Sequence, residues 1–176
     1  MKNQDYLYLD HAASTPMRKS ALDKYIEAES FGFANSSGGH KLSRNSKNLL
    51  EDSREIIAEL LDSAPSEIVF TSGGTEADNW TIKSLFDSKQ PNNNLVTSNI
   101  EHEAVLASAE WISSNGFQTK YAKSDENGFV TKDEFIKQID DETKVASLMW
   151  GNNETGVIQP INCLLYTSDA ADEKRW

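Results

Sequence analysis

With 176 residues, 38% of them hydrophobic and charges of both signs, the chain has the size and composition of one ordinary globular domain with a real core. Its 17 Lys and Arg against 28 Asp and Glu give a formal net charge of −11. That balance excludes the phosphate-backbone attraction on which nucleic-acid binders depend, and it is read as serving solubility. No window approaches the ~20 apolar residues of a membrane span and no signal-peptide core follows Met1, so a cytoplasmic location is expected. One cysteine, Cys163, excludes an intrachain disulfide framework, and three widely separated histidines give no reason to expect a metal site.

In chain order, Tyr6 to Leu9 is a short strand-like run that breaks into a loop over Asp10-His11-Ala12-Ala13-Ser14-Thr15-Pro16. A helix is predicted from about Arg18 to Glu29. From Ser46 to Asp62, Leu49, Leu50, Ser53, Ile56, Ile57, Leu60 and Leu61 recur at three-to-four spacing, the pattern of an amphipathic helix with one buried face. Pro65 lies just past its end. A strand over Ile68 to Thr71 is predicted to pass through Gly73-Gly74 into a helix from about Thr75 to Phe86, with Trp80 and Leu85 as core contacts.

The strand Leu95-Val96-Thr97 leads to a helix over Glu103 to Ser114, closed by Asn115-Gly116 in the position favoured by a left-handed residue. Phe117 to Ala122 is the next strand. Thr131 with Glu134 has the spacing of a capping box, and Val130 with Phe135 that of a hydrophobic staple, so a short helix should begin there. Lys144 to Trp150 is a strand delivering Gly151-Asn152-Asn153-Glu154-Thr155-Gly156. Strand and helix alternate from Ile68 to Trp150, which predicts an α/β domain with a mainly parallel sheet flanked by helices.

In such sheets the loops after the strands' C-terminal ends converge on one crevice. Here those loops are TSGGTE, SNIEHE and GNNETG. Gly73, Gly74 and Thr75 offer backbone N–H groups and a hydroxyl to a phosphate at a helix N-terminus, although a plain glycine turn explains them equally. The loop is neither a Walker A sequence nor GxGxxG. His102, at a strand-to-helix turn, can exchange a proton near neutrality, with helix capping or a surface position as the simpler account. Asn153 can donate to a ring oxygen, yet Asn-Asn-Glu is also an ordinary turn. For His11 and His40, polar surface is the default.

Taken in order, YLDHAASTP, ANSSGGHKLSR, IVFTSGGTEADN, NIEHEAV and NNETGVIQPI resemble the NifS/IscS-type cysteine desulfurases of the class V aminotransferase family, over residues 6 to about 161. The resemblance implies part of the large domain of a fold-type I transferase dependent on pyridoxal 5'-phosphate. It implies removal of sulfur from L-cysteine to leave L-alanine, with the sulfur held as an enzyme cysteine persulfide and passed to an acceptor protein for iron–sulfur assembly or tRNA thiolation. Carried over by position, Gly74 and Thr75 match cofactor-phosphate ligands. His102 matches the histidine that stacks on the cofactor ring and moves protons, and Asn153 the residue that hydrogen-bonds the ring hydroxyl oxygen. A homodimer is implied for the complete enzyme.

The chain departs from the family pattern in two respects. Where the family often has Asn-Pro-Ser-Ser, this chain has Asn35-Ser36-Ser37-Gly38-Gly39, and a looser loop is expected. The family also runs to roughly twice this length, and the lysine that holds the cofactor, in its Ser-x-His-Lys setting, the aspartate facing the pyridine nitrogen and the sulfur-accepting cysteine all fall beyond the matched segments. Residues 1–162 are accordingly read as an N-terminal segment plus a truncated cofactor-binding domain, expected to be inactive by itself. From Cys163 the sequence CLLYTSDAADE resembles the conceptual translation of a transposase adapter used in DNA sequencing libraries, so residues 163–176 are expected to be a non-native tail and Cys163 is not the sulfur acceptor. Another class V enzyme, a selenocysteine lyase or an aminotransferase, is the alternative within the family. A short non-catalytic α/β phosphate-binding module is the alternative outside it.

Overall fold

The computed structural model describes residues 7–86 and 92–165, without the side chains of Cys163 and Leu165. The chain divides into two compact units, one ending at Phe70 and one beginning at Thr71.

In the first unit α1 spans Lys19–Phe31 and α2 spans Lys41–Leu60. Helix α2 begins five residues earlier than the hydrophobic period suggests, because the His40 side chain caps it by accepting from the Ser43 amide (3.3 Å). Pro65–Glu67 forms one 3₁₀ turn. Two expected strands are absent among the described residues. Leu7 to Leu9 is irregular and exposed, with the Tyr8 hydroxyl donating to the Asp10 and Ser14 carbonyls, while Tyr6 lies outside the described residues. Ile68 has extended dihedrals, but 68–71 joins no ladder and Val69 and Phe70 are exposed. β-propensity makes a strand only where a neighbouring backbone completes its hydrogen bonds.

The second unit is a three-stranded parallel sheet of β1 (Asn94–Ser98), β2 (Gln118–Ala122) and β3 (Thr143–Ala146) in the order β2-β1-β3. Helices α3 (Gly74–Lys83) and α4 (Glu103–Ser114) and the short α5 (Lys132–Ile136) complete it, with α6 at Ile161–Leu165. β1 is buried along its whole length, as a central parallel strand should be. Its alternate residues serve two cores: Leu95 packs with Ile82, Val105, Ala109 and Ile112, whereas Val96 packs with Ala122, Val130 and Phe135.

The capping box is half formed. Thr131 Oγ1 accepts from the Glu134 amide (3.2 Å), but the Glu134 carboxylate accepts from Gln138 Nε2 (3.2 Å). Val130 and Phe135 share the second core as the staple requires. Helix α4 has the expected bounds, and Gly116 takes φ 87° just beyond it. Trp80 and Leu85 are not core contacts: they are 53% and 43% exposed, and Ile82 occupies the buried position of α3.

The pairing of β3 with β1 slips between Asn94 and Leu95, so Lys144 is passed over in the register. Beneath that irregularity Asn94 Nδ2 donates to Asp140 Oδ1 (2.8 Å), Thr143 Oγ1 donates to Asn94 Oδ1 (3.0 Å), and Lys120 pairs with Asp140. One carboxylate thus ties all three strands together, meeting the first residues of β1 and β3 and the middle of β2. Strand β3 ends at Ala146, short of the expected Trp150, though Ser147 still donates to the Val96 carbonyl (2.9 Å).

Candidate functional site

The opposite, C-terminal ends of β1 and β3 carry the loops holding His102 and Asn153, and the turn holding Gly74 and Thr75 starts α3, which packs on α4. Gly73 is the N-cap of α3, with extended backbone, and a Cβ built at Gly73 or Gly74 would meet nothing within 4 Å. The amides of Gly74 and Thr75 lie in the first turn, where no intrahelical acceptor exists. The Glu76 carboxylate, also in that turn, accepts from the Ser72 amide (2.6 Å) and hydroxyl (2.7 Å), and those bonds hold it below its ordinary pKa. Glu76 therefore stays ionised with its carboxylate turned back onto Ser72, while Gly74 and Thr75 stand exposed in the same turn.

His102 is the N-cap of α4. Its Nδ1 accepts from the Ala104 amide (3.1 Å), so in the neutral ring the proton sits on Nε2. The capping role is observed, and the rest of the ring is exposed. Asn153 is exposed in the turn 153–155. Its neighbour Asn152 builds that turn: Oδ1 accepts from the amides of Glu154 and Thr155 (both 2.9 Å), while Nδ2 donates to the Ile100 carbonyl (2.9 Å). Gly156, at φ 75°, closes the loop by donating to the Asn152 carbonyl. The two asparagines thus divide the work, one holding the loop and the other presenting an amide to solvent.

Glu101 is the residue that sequence reasoning missed. Only 8% exposed, it accepts at Oε1 from the Ser98 hydroxyl (2.8 Å) and from the Met149 amide (2.8 Å). Burial pushes its pKa up, the two hydrogen bonds oppose that, and nearby Asp78 of α3 adds to it. With the Asn152–Ile100 bond, Glu101 joins the loop before His102 to the loop before Asn153. Helix α3 packs on α4, and its Asp78 lies near enough to Glu101 to act on it, which sets the N-terminal half of α3 beside these loops. His11 and His40 lie in the first unit, His11 edge-on to Tyr8 and His40 capping α2. Among the described residues no group of His, Cys, Asp and Glu could hold a metal ion, and no helix is long and apolar enough to cross a membrane.

A parallel sheet flanked by helices, with polar loops gathered at one end, defines an α/β enzyme-like domain. Residues 7–170 match the aminotransferase class-V family, and the chain belongs to it. That family and its cysteine desulfurase members are fold-type I enzymes dependent on pyridoxal 5'-phosphate. Over 156 residues the chain is 38% identical to cysteine desulfurase IscS of Methanosarcina thermophila, covering 88% of this chain and 39% of that protein. It is 39% identical to putative cysteine desulfurase IscS 1 of Bacillus subtilis, again over 88% of this chain and 41% of the relative. Among solved structures, SspA in complex with cysteine superposes with TM-score 0.84 at 35% identity, covering 94% of this chain and 48% of that one. A NifS-like protein gives 0.83 at 33% identity, covering 89% and 43%. The chain spans about two-fifths of the length of these curated relatives.

Proposed function

We propose that the chain is the N-terminal part of the large domain of a cysteine desulfurase that converts L-cysteine to L-alanine and passes the sulfur to an enzyme cysteine. The observation that carries this reading is the gathering of an open helix N-terminus, an exposed imidazole and an exposed amide at one end of a parallel sheet, on a chain whose relatives bear that enzyme's name. The Gly74 and Thr75 amides and the Thr75 hydroxyl bind the cofactor's phosphate, aided by the helix dipole. The His102 ring would help hold the pyridine, with Nε2 free to exchange a proton while Nδ1 keeps its cap. The Asn153 side chain donates to the ring's hydroxyl oxygen. The open turn at Gly73 and Gly74 and the exposed donors suit such a group. When bound, its ring supplies the electron sink for the chemistry at the substrate.

The same proposal holds that residues 163–176 are a non-native tail, that the complete enzyme is a cytoplasmic homodimer serving a sulfur-acceptor protein, and that this polypeptide alone is inactive. No lysine in it stands in a Ser-x-His-Lys setting. Sequencing the source locus across the codons for Ile161 to Cys163, then expressing the whole frame, tests the reading. A frame that continues into Ser-x-His-Lys and a later loop cysteine, and a product that makes alanine from L-cysteine, support it. A stop after Trp176 would leave a non-catalytic phosphate-binding module.

A further inference from the structure

We propose that Glu101 is a positioning residue that sets the width of the slot between His102 and Asn153, so that it governs affinity for a pyridine ring while leaving the phosphate handhold alone. The inference rests on the proposed cofactor pocket. Glu101 is not itself one of the residues placed against the ring. It stands one residue before His102 and bonds the Met149 amide at 2.8 Å, so the loop after β1 is fixed to the loop after β3 at that point. The Ser98 hydroxyl, 2.8 Å from the same oxygen, holds the carboxylate on its own strand's end. A second tie, Asn152 Nδ2 to the Ile100 carbonyl at 2.9 Å, comes one residue before Asn153. Each clamp residue therefore directly precedes a residue facing solvent, and side chains of adjacent residues diverge, one anchored inward and the other outward. With the carboxylate gone, the Met149 amide loses its acceptor and, among the described residues, the Asn152 bond is left to tie the two loops. Gly74 and Thr75 make neither bond, and the loss of the Glu101 charge near Asp78 of α3 is common to E101A and E101Q, so the difference between those variants isolates the clamp.

The test compares pyridoxine 5'-phosphate, which carries ring and phosphate but no aldehyde, with inorganic phosphate, by calorimetric titration of this chain and its E101A and E101Q variants. E101A is expected to bind pyridoxine 5'-phosphate more weakly by up to about tenfold to hundredfold, the worth of a hydrogen bond to a charged group being the ceiling for a residue that acts through the loops, with phosphate affinity the same in E101A and E101Q. E101Q keeps an acceptor oxygen and is expected to restore ring-ligand affinity to within about threefold of wild type. Hydrogen exchange reads the clamp itself: the Met149 amide should be protected in wild type and E101Q and exposed in E101A. Equal losses for both ligands in E101A, or no loss for either, would overturn the positioning role. Wild-type chain that binds pyridoxine 5'-phosphate no better than phosphate would overturn the pocket reading and this inference with it, while the Met149 exchange shows whether the clamp exists regardless.

Discussion

Asn152 and Asn153 are chemically identical neighbours to which the structure gives opposite duties, and replacing each with alanine separates them. Asn152→Ala removes the donor to the half-buried Ile100 carbonyl and the acceptor for the Glu154 and Thr155 amides. The first bond is shielded and contributes about 1 kcal/mol, whereas the two exposed amides recover water and together contribute less than that. The expected destabilisation is between about 1 and about 2 kcal/mol in all. Asn153→Ala removes an exposed side chain from the turn and should change stability by no more than about 0.5 kcal/mol. Urea unfolding followed by circular dichroism reads both, a shift in midpoint at constant slope reporting stability. Pyridoxine 5'-phosphate titration should show the reverse emphasis for Asn153→Ala: stability kept, and ring-ligand affinity lowered about fivefold to tenfold for one lost hydrogen bond. Equal destabilisation by the two substitutions, or an unmoved midpoint for Asn152→Ala, would refute this division of labour.

Three further outcomes are expected. The buried Thr97 hydroxyl has no hydrogen-bond partner among the described residues, so Thr97→Val should raise stability by about 1 kcal/mol, read as a higher Tm. Asp140 is held below its ordinary carboxylate range, chiefly by the Lys120 and Asn94 bonds; its stabilisation is present above the unfolded value of 3.8 and is lost as pH falls through the depressed folded value, so the gap between wild type and Asp140→Asn should narrow below pH 3.8. Incubation of this polypeptide with pyridoxal 5'-phosphate followed by borohydride should fix no cofactor on any single lysine by peptide mass mapping, and stoichiometric labelling of one lysine would contradict the proposed inactivity.

Much of the second unit was legible because its signals are local. The bounds of α4 follow from His102 as cap and Asn115-Gly116 as stop, and Thr131 marks the start of α5. Pro and Asn punctuation isolates β1. The misses have a common cause in partners distant along the chain. Ile68 to Thr71 carries strand propensity yet has no ladder among the described residues, and Trp80 looks like a core residue until the packing of α3 leaves it exposed. At the site, glycines and an exposed histidine are visible as residue types. Glu101 is not, since a glutamate beside a histidine gives no hint that its oxygen meets an amide 48 residues away. Gln159 escaped for the same reason: buried, it accepts from the Val130 amide and donates to the Gly128 carbonyl, fixing the approach to α5. The choice of the second asparagine over the first came from family resemblance, and the structure supplies a physical reason in the bonds that occupy Asn152.

The most direct test of the account is a 15N-resolved NMR titration of this chain with pyridoxine 5'-phosphate. The account predicts saturable shifts of the Gly74 and Thr75 amides, the His102 ring and the Asn153 side-chain amide, with phosphate alone moving only the first two. Shifts confined to other surfaces, or none at millimolar ligand, would contradict the assignment of this loop cluster as the cofactor site.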